Sequence, residues 1–270
     1  MKLVHAVLMF LVGATAALSA VAEELVVPGS GNPEFILGQL ASAFNQQQSM
    51  HRVTVPTSTG TAGALRDIAA GTASLARVGR PLKEAEVKGG VVYLALGRDP
   101  VVFAGGAKVS VRSLTQAQIV AAYEGRITDW RELGGTPGPI RAIGRESADA
   151  SRQAINRQIK SFESITFGEN VKAVHLDPQV IELLDRYPTS LGFLNASALA
   201  ACRTKIVRLA LDGVEPTPQN LANGRYPLWL EFGLIYKADG LTAAGKAFIQ
   251  FIKSPAGERI LRGHGVLPPA

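Results

Sequence analysis

An α/β fold with parallel strands is predicted by three observations. Short apolar strands alternate with amphipathic helices along the chain, no internal repeat or low-complexity tract breaks the alternation, and the strand-to-helix junctions are rich in Gly, Ser, Thr and Asn.

The first 22 residues stand apart from that pattern. Met1-Lys2 forms a short positive start, residues 7–12 and 14–17 are apolar, and Ala20-Val21-Ala22 offers small residues where a signal peptidase reads. A membrane anchor needs ~20 uninterrupted apolar residues. Here the apolar part is shorter and Glu23-Glu24 follows at once. Residues 1–22 are therefore expected to be a cleaved signal peptide that sends the chain to the periplasm.

Residues 25–27 read as the first strand, ended by the turn Pro28-Gly29-Ser30-Gly31. A helix follows, with Asn32 as N-cap, Pro33 at the first helical position, and Ile36, Leu37, Leu40, Ala41 and Phe44 as its apolar face. Residues 52–55 form the second strand and run into Thr57-Ser58-Thr59-Gly60-Thr61. The next helix continues to Ala70 and stops at Gly71. Residues 91–96 and 100–104 read as two further strands.

Beyond Gly105-Gly106 a second, helix-rich unit begins. Ser113 with Gln116 fits a capping box, Ile119, Val120 and Tyr123 make a buried stripe, and Gly125 to Trp130 closes that helix with an aromatic plug. Residues 140–143 form a strand, and residues 145–151 lead into a helix carrying Ile155 and Ile159. Late in the chain Leu228, Leu230, Phe232, Leu234 and Tyr236 alternate as one face of a long strand, and two helices finish the chain, over 242–252 and from Ser254-Pro255. The strands near 101–104 and 229–236 are placed to cross between two lobes. The expected division is 23–104 with 225–270 as a discontinuous first lobe, and 105–224 as the second.

Charge and composition narrow the function. The net charge is +6; loss of Lys2 with the leader leaves 27 Lys+Arg against 22 Asp+Glu, or +5. The basic residues are dispersed and the aromatics do not interleave with them, so no nucleic-acid surface is expected. A modest positive field favours a small anion. Cys202 is the only cysteine, which excludes an intramolecular disulfide, and its apolar run predicts a small buried core residue. His51, His175 and His264 are widely spaced, and the chain carries no nucleophile elbow, paired metal-spaced histidines or complete P-loop. No catalysis and no cofactor is expected.

Three segments share one arrangement of strand, small polar loop and helix start: 28–33, 57–63 and 144–152. Each presents free backbone N–H groups and the positive end of a helix dipole, with hydroxyls beside them. Their convergence would hold a small dehydrated anion without a metal. Arg77 and Arg80 are candidates for extra positive charge near such a pocket, or for solvated surface positions.

The order of segments resembles the substrate-binding components of phosphate-type ABC transporters, the type II periplasmic binding proteins. The resemblance rests on Gly60-Thr61-Ala62-Gly63 with Gly71 and Arg80-Pro81-Leu82, on Tyr123-Glu124-Gly125-Arg126-Ile127-Thr128-Asp129-Trp130, and on Arg145 to Arg152. Gly192-Phe193, Tyr226-Pro227-Leu228, Ser254-Pro255-Ala256-Gly257-Glu258 and Gly265 extend it over almost the whole mature chain. The resemblance implies a two-lobed α/β fold with mixed sheets and a ligand cleft between the lobes. It further implies a monomer that captures a small oxyanion, phosphate foremost, and hands it to a membrane ABC permease. Sulfate or molybdate as ligand, and a sensor or accessory protein acting on a membrane receptor, are the alternatives.

Carried over residue by residue, the family's anion contacts fall on Ser30, Gly31 and Asn32 in the first loop, on Thr61 at the second helix start, and on Arg145 with the triplet Asp149-Ala150-Ser151 at the third. Two departures stand out. The triplet is Ser-Gly-Thr in the family, and the aspartate that phosphate-specific members often place before Arg80 is here Gly79. Asp149 is thus expected either to accept the proton of hydrogen phosphate or to cap its helix.

Overall fold

The computed structural model describes residues 23–269 apart from 88, 201, 203 and 204. The leader therefore lies outside the described residues. The chain begins β1 (Glu23–Val26), α1 (Glu34–Gln47), β2 (His51–Thr54), α2 (Gly60–Ala70), β3 (Ala76–Val78) and β4 (Val91–Gly105). It continues through β5 (Ser113–Leu114), α3 (Gln116–Tyr123), β6 (Arg141–Arg145), α4 (Ala150–Gln158), α5 (Lys160–Glu163), β7 (Val171–Val174) and α6 (Asp177–Arg186). Then follow β8 (Ser190–Asn195), α7 (Ala196–Ala200), β9 (Val207–Leu211), α8 (Pro218–Ala222), β10 (Trp229–Lys237), α9 (Ala243–Ile252) and α10 (Pro255–Gly263).

The sheets are mixed, as the resemblance implies, and not parallel throughout as the alternation of strands and helices alone suggests. β1 and β2 pair in parallel, as do β6 with β7 and β8, but β4 runs antiparallel to β8, β9 and β10, and β10 antiparallel to β3. The reason lies in β4. The two strands expected at 91–96 and 100–104 are one 15-residue strand. Its first part pairs with β10 from Val91 to Pro100, and its last five residues pair with β8. The two lobes share β4. One strand thus pairs with both β10 and β8, and an isolated parallel bridge between Gly29 and Arg77 brings the loop after β1 alongside β3.

Gly29 makes that junction possible. Its φ is +133°, and a Cβ there would lie 2.0 Å from the Arg77 carbonyl oxygen, so only glycine lets the two backbones meet.

Each lobe has its own aromatic packing. Phe44 meets Phe248 and Phe251 where α1 covers α9, and Phe103, Tyr123, Phe162 and Phe193 interlock in the other lobe. The expected aromatic plug is Trp130: it is 1% exposed and its indole N–H donates to the Thr189 carbonyl at 2.7 Å. Burial of a ring this size stabilises by roughly 2–3 kcal/mol, and the satisfied N–H removes the cost of burying a donor. The buried Tyr226 hydroxyl, three residues before β10, donates to the Val101 carbonyl of β4 at 2.7 Å.

Two local expectations shift. The capping box belongs to Thr115 and Gln118, because Ser113 is taken into β5 beside Ala210. Cys202 is half-buried, with its thiol 3.5 Å from the Ala198 carbonyl, rather than a core residue. Gly71 ends α2 in the left-handed conformation (φ 71°), as expected.

Candidate functional site

A cavity of about 450 Å³ lies between the lobes, and Ser30, Gly31, Asn32, Thr61, Arg145, Asp149 and Ala150 all line it. The starts of α1, α2 and α4 thus converge, as the three loop segments predict. A fourth helix start joins them, since His175 and Leu176 at the head of α6 line the same cavity. Ser151 does not line it.

The first loop is held from beneath by Arg77, which is neither a solvated surface residue nor a wall of the cavity. Its guanidinium is fully buried and donates to the Ser30 carbonyl (2.8 Å), the Pro56 carbonyl (2.6 Å), the Val27 carbonyl and Glu34 Oε2 (3.1 Å). Burial lowers its pKa, and Glu34 opposes that shift. The Ser30 N–H in turn donates to the Arg77 carbonyl at 3.0 Å, so it is unavailable to an anion. Among the described residues, the N–H groups of Gly31 and Asn32 have no such partner.

Asn32 does not cap α1. The N-terminal flank of that helix is Pro33, without a side-chain cap, because the Asn32 amide is used across the cleft. It donates to Ser151 Oγ at 3.0 Å; Ser151 Oγ donates to Asn195 Oδ1 at 2.7 Å; and Asn195 Nδ2 returns to the Asn32 carbonyl at 3.0 Å. All three residues are buried. This ring ties the first loop to α4 and β8.

Arg145 ends β6 and is 2% exposed. Its Nη2 donates to Asp149 Oδ2 (2.6 Å) and to the His175 carbonyl (2.8 Å), and its Nη1 donates to Asp177 Oδ1. Its Nε is buried without a hydrogen-bond partner among the described residues. Asp149 does two things at once: Oδ1 accepts from the Arg152 N–H at 3.0 Å and caps α4, while Oδ2 holds Arg145 on the cavity wall. Burial raises its pKa, against the pull of Arg145 and the backbone donors.

Gly79 is explained by contact. A Cβ there would lie 2.7 Å from Ser30 Oγ and 3.1 Å from Asn32 Oδ1, so the first loop occupies the room that a side chain would need. The carboxylates of this site come instead from the other lobe. Arg80 lines the cavity but is paired with Glu86 through two bonds of 2.7 and 2.8 Å. That pairing holds the Glu86 carboxyl down at about 2, well below the usual range.

Asp177 is the residue that sequence reasoning missed. It is the first residue of α6, is 5% exposed, and pairs with Nη1 of Arg145 while Asp149 pairs with Nη2. Burial pushes its carboxyl up to about 6, with Arg145 opposing and Asp149 adding to the shift. The segment His175-Leu176-Asp177-Pro178 is also a strand-to-helix junction, but it lacks the glycines and hydroxyls that mark the other three.

The arrangement therefore offers helix dipoles, backbone donors, hydroxyls and one buried guanidinium to a small anion, with the Asp149 carboxylate on the cavity wall placed against an anion lacking protons. Among the described residues no group of His, Cys, Asp and Glu is arranged to hold a metal.

A model of the PBP superfamily domain matches residues 14–256. The phosphate-binding protein PstS of Borreliella burgdorferi is 22% identical over 250 residues, covering 89% of this chain and 88% of that protein. PstS of Bacillus subtilis is 26% identical over 192 residues, covering 68% and 61%. A Clostridium perfringens structure described as a phosphate ABC transporter substrate-binding protein with bound phosphate superposes with a TM-score of 0.78 at 24% identity, covering 92% of this chain and 100% of that one. An ABC-type phosphate transport receptor from Vibrio cholerae gives 0.66 at 23% identity, covering 91% and 100%.

Proposed function

The chain belongs to the PBP superfamily, and from that premise we propose that it captures phosphate between its lobes and delivers it to a membrane ABC permease, acting by binding rather than turnover. The observation that carries this reading is the convergence of four helix starts and the buried Arg145 on one cavity. The relatives named for phosphate binding and phosphate transport support it.

The ligand set in this reading is Ser30, Gly31, Asn32, Thr61, Arg145, Asp149 and Ala150, with Ser151 acting through Asn32. The lobe boundaries in this reading are 104/105 and 224/225; β4 changes partners from β10 to β8 after Pro100, four residues ahead of the first of them. Export to the periplasm by cleavage after Ala22 is part of the same proposal. Among the described residues the β1 ladder begins at Glu23, whose carboxylate also accepts from the Ala244 N–H at 3.2 Å. Sequencing of the purified protein should find Glu23 at its amino terminus; an intact Met1 would refute the export proposal.

Calorimetric titration with phosphate, sulfate, molybdate and arsenate tests the ligand. Phosphate and arsenate, which carry a proton near neutral pH, should bind well ahead of sulfate. Asp149→Ser should erode that preference, because serine retains a capping oxygen while removing the charge that repels an unprotonated dianion. An unchanged ratio of phosphate to sulfate affinity would limit Asp149 to capping α4 and holding Arg145.

A further inference from the structure

Arg145 carries one positive charge and is shared by two buried carboxylates. The three groups together carry a net charge of −1 before any anion arrives. An anion entering the cavity competes for the donors that now hold Asp149 and Asp177. One of those carboxylates then loses compensation inside a low-dielectric site, and a buried carboxylate in that position takes a proton rather than remain charged.

The geometry identifies which one. Both oxygens of Asp149 are engaged, one by the Arg152 N–H and one by Arg145. Asp177 has Oδ1 on Arg145 and the Asn195 backbone N–H beside its carboxylate, while its Oδ2 is buried without a hydrogen-bond partner among the described residues. Resting on the phosphate-binding reading above, we infer that Asp177 takes up one proton from solvent when the anion binds, on Oδ2, and thereby balances the charge of the closed site. Asp177 contributes no wall to the anion cavity, so it acts through Arg145 as a positioning residue.

The surroundings of Asp177 are consistent with that assignment. Its carboxyl already stands at about 6, and loss of the Arg145 charge, the largest influence opposing burial there, raises it through the neutral range. From β4 it faces Asp99, whose carboxyl burial pushes up to about 7 and which is held by the Ser197 N–H and hydroxyl. Beyond α7, the Cys202 thiol is shifted upward by burial, then by Asp177 and Asp185. Arg152 donates to the Arg145 carbonyl at 2.8 Å. Glu34 is engaged by Arg77, and at the cavity mouth Glu146 pairs with the exposed His175 at 3.0 Å. None of these supplies a second cation to Asp177.

The sign follows from linkage. A proton taken up on binding makes affinity fall as pH rises above the unliganded value of about 6, by up to tenfold per pH unit, and leaves it flat below. The test is calorimetry with inorganic phosphate at pH 7.5 in buffers of different ionisation enthalpy, which counts protons taken up. Wild type should take up about one more proton than Asp177→Asn. Equal counts in wild type and Asp177→Asn would overturn the inference, since the proton would then reside on phosphate, Asp149 or Asp99. Absence of phosphate binding by wild type would instead reject the phosphate reading on which it rests. Infrared difference spectra of the wild-type protein give a second readout that needs no folded variant. Phosphate should bring up the carbonyl stretch of a protonated buried carboxyl, and its absence would equally overturn the assignment.

Discussion

Replacing Arg77 by alanine is expected to destabilise the protein by about 3–5 kcal/mol, as for breaking a buried ion pair from one side. The guanidinium satisfies three backbone carbonyls and Glu34 from a fully buried position, and alanine leaves all four acceptors without their donor. Arg77→Lys should recover little, because one ammonium on a flexible stem does not reproduce the planar fork that reaches Val27, Ser30 and Pro56 together. Denaturant unfolding measures the effect. A loss below ~1 kcal/mol in Arg77→Ala would show that water replaces the guanidinium and that the first loop stands without it.

Arg145→Ala is the second large effect, this time on binding. Phosphate affinity should fall by about 2–4 kcal/mol, the loss of charge-assisted bonds to a buried anion. The variant also leaves the buried Asp149 and Asp177 without their shared cation, so it should be less stable at neutral pH. It should recover as the medium is acidified through the raised carboxyl range, where both groups become neutral. Thr61→Val, which removes one neutral donor at the start of α2 and keeps the shape, should cost less, roughly 1–2 kcal/mol of binding. Calorimetric titration of the two variants decides the matter: wild-type affinity in both would place the anion elsewhere.

The parts of the site that could be read in the sequence were those with a local signature. Glycines and hydroxyls at a strand end reveal a helix start, and three of the four converging starts carry them. What escaped reading depends on residues far apart in the chain. Asn32 looks like an N-cap because it precedes Pro33 at a helix start; its amide instead meets Ser151, 119 residues away. Arg77 resembles any arginine until the first loop folds over it. Asp177 acquires its role from Arg145, 32 residues earlier, and nothing in His-Leu-Asp-Pro announces that. The capping box was misplaced by two residues because Ser113/Gln116 and Thr115/Gln118 fit the same pattern, and pairing of Ser113 with β9 decides between them. Burial at Cys202 was overestimated because an apolar run marks an interior segment without saying which of its residues faces a cavity.

The ring of Asn32, Ser151 and Asn195 has a kinetic side. Two of its bonds span the cleft and neither involves the anion. At ~0.5–1.5 kcal/mol net apiece, they favour the shut form of an empty molecule by about 1–3 kcal/mol. An anion enters only through the remaining open fraction, so the measured dissociation constant is the intrinsic one divided by that fraction. The same bonds slow departure once the site is filled. This ring therefore lengthens the residence time of a captured anion while lowering the rate of capture, and a membrane partner that recognises the shut outline would meet unloaded copies as well as loaded ones.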